Sequence, residues 1–248
     1  MESCKACKVA QCDGFRYAFV MNVYAGFALC FIPLVVLFIS FCLLVPQYKT
    51  LHGLFACLLG LLCVAPIAVL QFVVESVPFF NATSLALLFL RAVVINGLIE
   101  ETIKMLIMFL LPKKTVALPA FFANALLCGF ALGCFESAIY VISGYHHIEL
   151  RLFTAVVVHA SCAALSGLFV FSLHAKRSKI LPFVYAVFFH GVYNYFAGFS
   201  TNIKWFSLVV IALSLLECRI QYRAFFEQSE LLPKLPDTDG MQATDSHS

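Results

Sequence analysis

Charge is what this sequence has least of. Asp and Glu number 13, Lys and Arg 16, and together they make up 12% of 248 residues, against 62% hydrophobic residues. From Tyr17 to Tyr48 there is no charged residue at all, and from Thr50 to Val74 again none. A soluble domain of this size cannot carry that balance, so the class expected is an integral membrane protein. The net charge of +3 is too small to argue for a nucleic-acid partner, and the basic residues cluster between apolar runs. No HExxH motif, no internal repeat and no second, polar domain are visible. Cysteine is plentiful, with 11 residues, but most lie inside apolar runs, where a thiol acts as a small hydrophobe. Only Cys4, Cys7 and Cys12 cluster, and they lack a fourth ligand nearby.

Hydropathy breaks the chain into about seven spans: 17–48, 50–74, 83–111, 116–143, 152–175, 180–199 and 204–220. The fold expected is therefore all-α, a multi-pass helical bundle in the lipid bilayer. The expected organisation is a short polar tail over 1–16, a transmembrane domain over 17–226 with its motifs between 98 and 198, and a disordered tail over 227–248. The first span is too long for a signal-peptide core and reads as an uncleaved anchor. Basic residues at Lys49, Lys113, Lys114, Lys176, Arg177 and Lys179 lean towards a cytoplasmic C-terminus, although Lys5, Lys8 and Arg16 lean the other way.

Against this background the few buried charges stand out. Glu100, Glu101 and Lys104 interrupt an apolar run. A charge at bilayer depth costs roughly 2.5–3.5 kcal/mol, so such groups usually face an interior or a water-filled cavity. On a helix Glu100 and Lys104 share a face with Asn96 one turn earlier, and Glu101 lies three residues from Lys104. Later runs carry Glu136 with Tyr140, His159 with Gly167 eight residues on, and His190 with Asn194. Gly129, Gly133, Ala163 and Gly198 extend these stripes, which marks them as faces that pack closely. Each group alone has a bland reading: a wet helix end, an interhelical clasp, a hydrogen-bonded packing residue. Together they place carboxylates, an ammonium, imidazoles and a carboxamide on four consecutive spans, whereas the first two spans contribute no such group. The chemistry that fits is attack of water on a peptide carbonyl, with a glutamate as general base, a histidine holding the water, and His190 with Asn194 as oxyanion donors.

In order and spacing, Glu100-Glu101-x-x-Lys104, Phe135-Glu136-x-x-x-Tyr140, His159 and His190-x-x-x-Asn194 resemble the PrsW family of intramembrane proteases, itself akin to the CAAX-processing and Abi membrane proteases. The resemblance implies a metal-independent glutamate-type endopeptidase, needing no cofactor, in a bacterial inner membrane. Its substrate would be a membrane-tethered protein such as an anti-sigma factor. It gives Glu100 the water-activating role, Glu101 that of an essential neighbour, His159 that of a second water-holding group, and His190 and Asn194 the oxyanion, with Lys104, Glu136 and Tyr140 in support. Lys104 stands where the CAAX-processing group has an arginine one step later, and Tyr140 near the place of a histidine, which sets prenyl-protein substrates aside. Two other readings compete. One is a zinc protease of the same architecture with His159, His190 and a glutamate as ligands. The other is a transporter or proton carrier, since intramembrane Glu, Lys and His also line ion pathways.

Overall fold

The computed structural model describes residues 3–46, 48–77, 84–112, 117–144, 148–176 and 178–230, with the side chains of 3–23, 148, 149, 229 and 230 left aside. Lys113, Lys114, Arg177, the side chains of Cys4, Cys7 and Cys12, and the expected tail from 231 onward lie outside what is described. Among the described residues the chain is helical, with no strand. Its elements are α1 (Ser3–Leu44), α2 (Thr50–Glu75), α3 (Leu85–Arg91), a π-helical segment (Ala92–Ile99), α4 (Glu100–Met108), α5 (Leu118–Ile142), α6 (Ile148–Phe153), α7 (Ala155–His174), α8 (Leu181–Ala197), a 3₁₀ turn (Asn202–Trp205) and α9 (Phe206–Glu230).

Among the described residues, four segments are long and apolar enough to cross a membrane: Tyr24–Leu44, Thr50–Glu75, Leu118–Ile142 and Leu150–His174. That is fewer than the seven read from hydropathy, for a physical reason. The third run holds Arg91, Glu100, Glu101 and Lys104, α8 has only 17 residues, and α9 carries Glu217, Arg219 and Arg223. At 1.5 Å per residue, α8 falls just short of a ~30 Å hydrocarbon core. Helix runs from Ser3, within the expected polar N-terminal tail, and reaches Glu230, within the expected C-terminal one.

Local signals explain where the elements begin and end. The Ser84 hydroxyl accepts from Leu87 N at 3.3 Å and caps α3. Proline sits in the first turn of α5 and of α8, where its missing N–H is not needed. Gly144, at φ +85°, ends α5 in the left-handed region that only glycine enters freely. Pro66 lies inside α2 without ending it.

The bundle is organised around α5 and α7, the two most buried helices, with α2 and α1 on one side and α8 and α9 on the other. Small residues set that spacing. A Cβ added to Gly129 would meet Ala163 Cβ and His159 O at 2.3 Å, and one added to Gly167 would meet Ala125 Cβ at 2.3 Å. The π segment and α8 are as close, since a Cβ on Gly97 would stand 2.5 Å from Val187 O. These are backbone approaches that lipid-facing leucine helices cannot make. One apolar cluster (Leu59, Met108, Phe121, Leu127, Val170) fastens α2, α4, α5 and α7; a second (Val158, Leu165, Ala186, Tyr193, Ile211) fastens α7, α8 and α9. Between them runs the polar seam.

Candidate active site

The seam begins where the π segment hands over to α4. Glu100 and Glu101 occupy the first turn of α4, so their side chains diverge by about 100° into two different neighbourhoods. Glu101 points into the core and is completely buried. Its Oε1 is paired with the Lys104 ammonium and lies 2.7 Å from His190 Nδ1, while Ser166 Oγ donates to its Oε2 at 2.9 Å. With three partners, this carboxylate is fixed. Lys104, also fully buried, neutralises Glu101 at i−3; the stripe shared by Glu100 and Lys104 does not bring those two together as an ion pair.

Glu100 faces the other way, towards two imidazoles. Its Oε2 lies 3.6 Å from His159 Nδ1 and 3.6 Å from His190 Nε2, and its Oε1 accepts from Gln71 Nε2 at 3.0 Å. The two rings stand edge to face with centroids 4.9 Å apart. Each ring is held from behind by a carboxylate: His190 by Glu101, and His159 by Glu136, whose Oε2 is 2.6 Å from Nε2. Arg151 in turn donates to Glu136 Oε1 at 2.9 Å and stacks 3.7 Å over the Tyr140 ring. Glu136 and Tyr140 are thus joined through Arg151, a residue of the short α6.

Hydrogen positions follow from this arrangement. An ionised carboxylate only accepts, so the ring nitrogen facing it must carry the hydrogen. In the neutral rings, that leaves a bare lone pair on His159 Nδ1 and another on His190 Nε2, both directed towards Glu100 Oε2. His159 Nδ1 is buried and has no hydrogen-bond partner. Three acceptors therefore converge with nothing donating to them, and three carboxylates face only two cations, Lys104 and Arg151. Such a point favours a cation, or a water with one ring protonated. Glu100, His159 and His190 offer ligand atoms within 4.8 Å of one another. Ligands at ~2.0–2.1 Å around a four-coordinate zinc lie roughly 3.4 Å apart, close to the 3.6 Å from Glu100 to each imidazole, and the carboxylate behind each imidazole is the support that metal-binding histidines commonly have.

Not every expected residue joins this cluster. Asn194 sits one turn from His190, and its Nδ2 donates to His190 O at 3.2 Å; its side chain lines an adjoining cavity. Three groups that the sequence reading passed over do belong. Gln71 corrects the expectation that the first two spans contribute no such group, since it reaches Glu100 from α2. Ser166 and Arg151 complete the supports of Glu101 and Glu136. Gln71 is the one carboxamide of α2 and lies in its uncharged stretch between Thr50 and Val74, a signal legible in the sequence. Searches of protein-family profiles, of curated proteins and of solved structures return no match to this chain.

Proposed function

We propose that the chain is an intramembrane endopeptidase that hydrolyses a peptide bond in a membrane-tethered protein, of the kind the anti-sigma factors represent. The observation that carries this reading is the convergence of Glu100 Oε2, His159 Nδ1 and His190 Nε2 on one point within a helical bundle, each anchored from outside. A water at that point has Glu100 to take its proton and one imidazole lone pair to orient it. Glu100 removes the proton as the oxygen attacks the carbonyl carbon and the C=O π pair moves to oxygen. When the tetrahedral adduct collapses, the C–N bond breaks and the same proton passes to the departing amine. Glu101, Lys104, Ser166, Glu136 and Arg151 contribute position: each holds a reacting group in one rotamer, which conserves the entropy such chemistry otherwise loses.

A second reading rests on the bare lone pair of His159. Glu100, His159 and His190 would hold a divalent cation, with Glu101 and Glu136 as outer carboxylates. When bound, that cation would lower the pKa of a water and polarise the carbonyl. In this form Gln71 and the outer carboxylates keep the three ligands aligned.

The spans extend this proposal. Counting 85–111, α8 and α9 with the four apolar helices gives seven crossings in a cell membrane with a cytoplasmic C-terminus. The test is cleavage of a single-span reporter by purified protein in liposomes, with elemental analysis of the same preparation. Glu100→Gln keeps shape and hydrogen bonding but removes basicity, and cleavage should fall by about 10²–10⁴-fold. A folded Glu100→Gln protein that cuts at the original rate sinks the proposal. Stoichiometric zinc, with activity lost on its removal and restored on its return, selects the second reading; full activity after exhaustive chelation selects the first. Proton flux without cleavage would instead indicate a carrier.

A further inference from the structure

A cavity of about 120 Å³ lies at the end of the bundle where α8 finishes and α9 begins, beside α6. It shares no wall residue with the cavity that Asn194 lines. The hydroxyls in its wall are already spent. Tyr193 Oη donates to Thr154 Oγ1 at 3.0 Å, Thr154 Oγ1 donates to Leu150 O at 2.7 Å, and Ser207 Oγ donates to Lys204 O at 2.6 Å. A hydroxyl has one hydrogen to give, so none of the three has a donor left for a ligand.

The two cations of the wall do. Arg151 gives Nη2 to Glu136, while its Nε is buried and meets no acceptor. Lys204 forms no hydrogen bond or ion pair with any described residue, and its ammonium lies 5.4 Å from the Trp205 ring. Among the described residues no carboxylate lines the cavity, and Glu136, behind Arg151, answers only one of the two positive charges. A buried N–H without an acceptor costs free energy until one arrives. The wall therefore calls for a group that is negative and accepts several hydrogen bonds at once. Phosphate is such a group, and arginine and lysine are the side chains that bind it.

Size and position say what carries the phosphate. Sites for drug-sized molecules measure roughly 300–1,000 Å³, so this cavity takes a head group and little more. Leu150, Trp205 and Leu208 in the wall remain exposed, an apolar surround along which acyl chains can lie. Leu150 also opens a segment long and apolar enough to cross a membrane, which puts the cavity at the level of the head groups. Tryptophan is favoured at that level, and basic pockets between helices there hold anionic head groups.

We propose that this cavity binds the phosphate of an anionic phospholipid, with Lys204 and Arg151 as its partners and the acyl chains outside, along Leu150 and Leu208.

Trp205 is the one tryptophan of the chain, so its fluorescence reports on this place alone. Full-length protein in phosphatidylcholine vesicles is titrated with phosphatidylglycerol brominated on its acyl chains, which quenches on contact, and in parallel with brominated phosphatidylcholine. Phosphatidylglycerol should quench at a mole fraction about fivefold lower, the contribution of one lysine beside an anionic lipid. Lys204→Gln should remove that preference, and Arg219→Gln, on the exposed face of α9, should keep it. Brominated diacylglycerol, which lacks the phosphate, should quench no better than phosphatidylcholine. Equal quenching by the two phospholipids in the unaltered protein overturns the proposal, whatever becomes of the variants. A preference that survives in folded Lys204→Gln protein, or that Arg219→Gln also abolishes, overturns it too, since general surface charge then accounts for it. Diacylglycerol that quenches as well as phosphatidylglycerol removes the phosphate from the argument and has the same effect. Inorganic phosphate, compared with chloride at equal ionic strength, should not displace the lipid; if it does, the ligand is a soluble anion and the lipid assignment falls.

Discussion

Lys104→Met is the perturbation that most directly probes how the site is built. Lys104 and Glu101 are both inaccessible to solvent and are paired with each other. Removing one partner of a buried ion pair leaves an uncompensated charge and costs about 3–5 kcal/mol. Here Ser166 and His190 still donate to Glu101, which favours the lower end of that range. For a chain of this length each kcal/mol moves the thermal midpoint by about 2–4 °C, so the expected fall is about 6–20 °C. The double variant Glu101→Gln/Lys104→Met removes both charges while keeping side-chain volume and an amide for Ser166. It should recover most of the lost stability, because a buried amide that keeps its Ser166 partner costs far less to desolvate than an unpaired charge. Activity should not return, since His190 has then lost the anionic group behind its Nδ1; losses of 10–100-fold are usual for such supports. The protein supplies its own reporter. Cys63, Cys128, Cys134 and Cys162 are fully buried, so a thiol-reactive maleimide dye will read the unfolding midpoint directly. A single variant as stable as the parent, or a double variant no better than the single, would refute the reasoning.

Arg151→Gln should lower cleavage about 10–100-fold with a midpoint nearly unchanged, because it loosens Glu136 and through it His159; Arg151→Lys should fall between, keeping charge but losing the fork and the stacking on Tyr140. Gly129→Leu should give no folded protein, since even its Cβ would overlap Ala163 and His159 O, whereas Gly144→Ala, with open space around it, should cost only about 1 kcal/mol of backbone strain by thermal melt. Reporter fusions at Lys114 and Lys179 should both read cytoplasmic; opposite readings would remove the seven-span arrangement, and two external readings would invert it.

Periodicity carried the reading of Glu100, Glu101, His159 and His190 a long way, and its failures have a common physical origin. A four-residue step says that two groups share a helix face, and all four of these residues do share the seam. It does not say how far a side chain reaches or in which rotamer. Lys104 could meet Glu100 at i−4 or Glu101 at i−3 with equal ease on helix geometry alone; the buried position of Ser166 and His190 decides for Glu101. The same limit applies to Asn194, on the expected face but one turn along the axis from the imidazoles, beside a cavity that no pattern in a single helix could reveal. The π segment before Glu100 was equally invisible. Its wide turn belongs to the stretch where Gly97 and Gly191 let two backbones nearly touch, and Ile95 O accepts from Gln71 at 3.4 Å. Arg151 exposes the other weakness. In the sequence it is one more basic residue beside an apolar run, yet it is the outer end of a chain running through Glu136 to His159. A charge next to a membrane span is therefore ambiguous in sequence, because snorkelling to the interface and reaching inward to a buried carboxylate need the same long side chain at the same position. What separates them is a partner on another helix, and for Arg151 that partner is Glu136, itself one of only a few carboxylates inside the apolar runs.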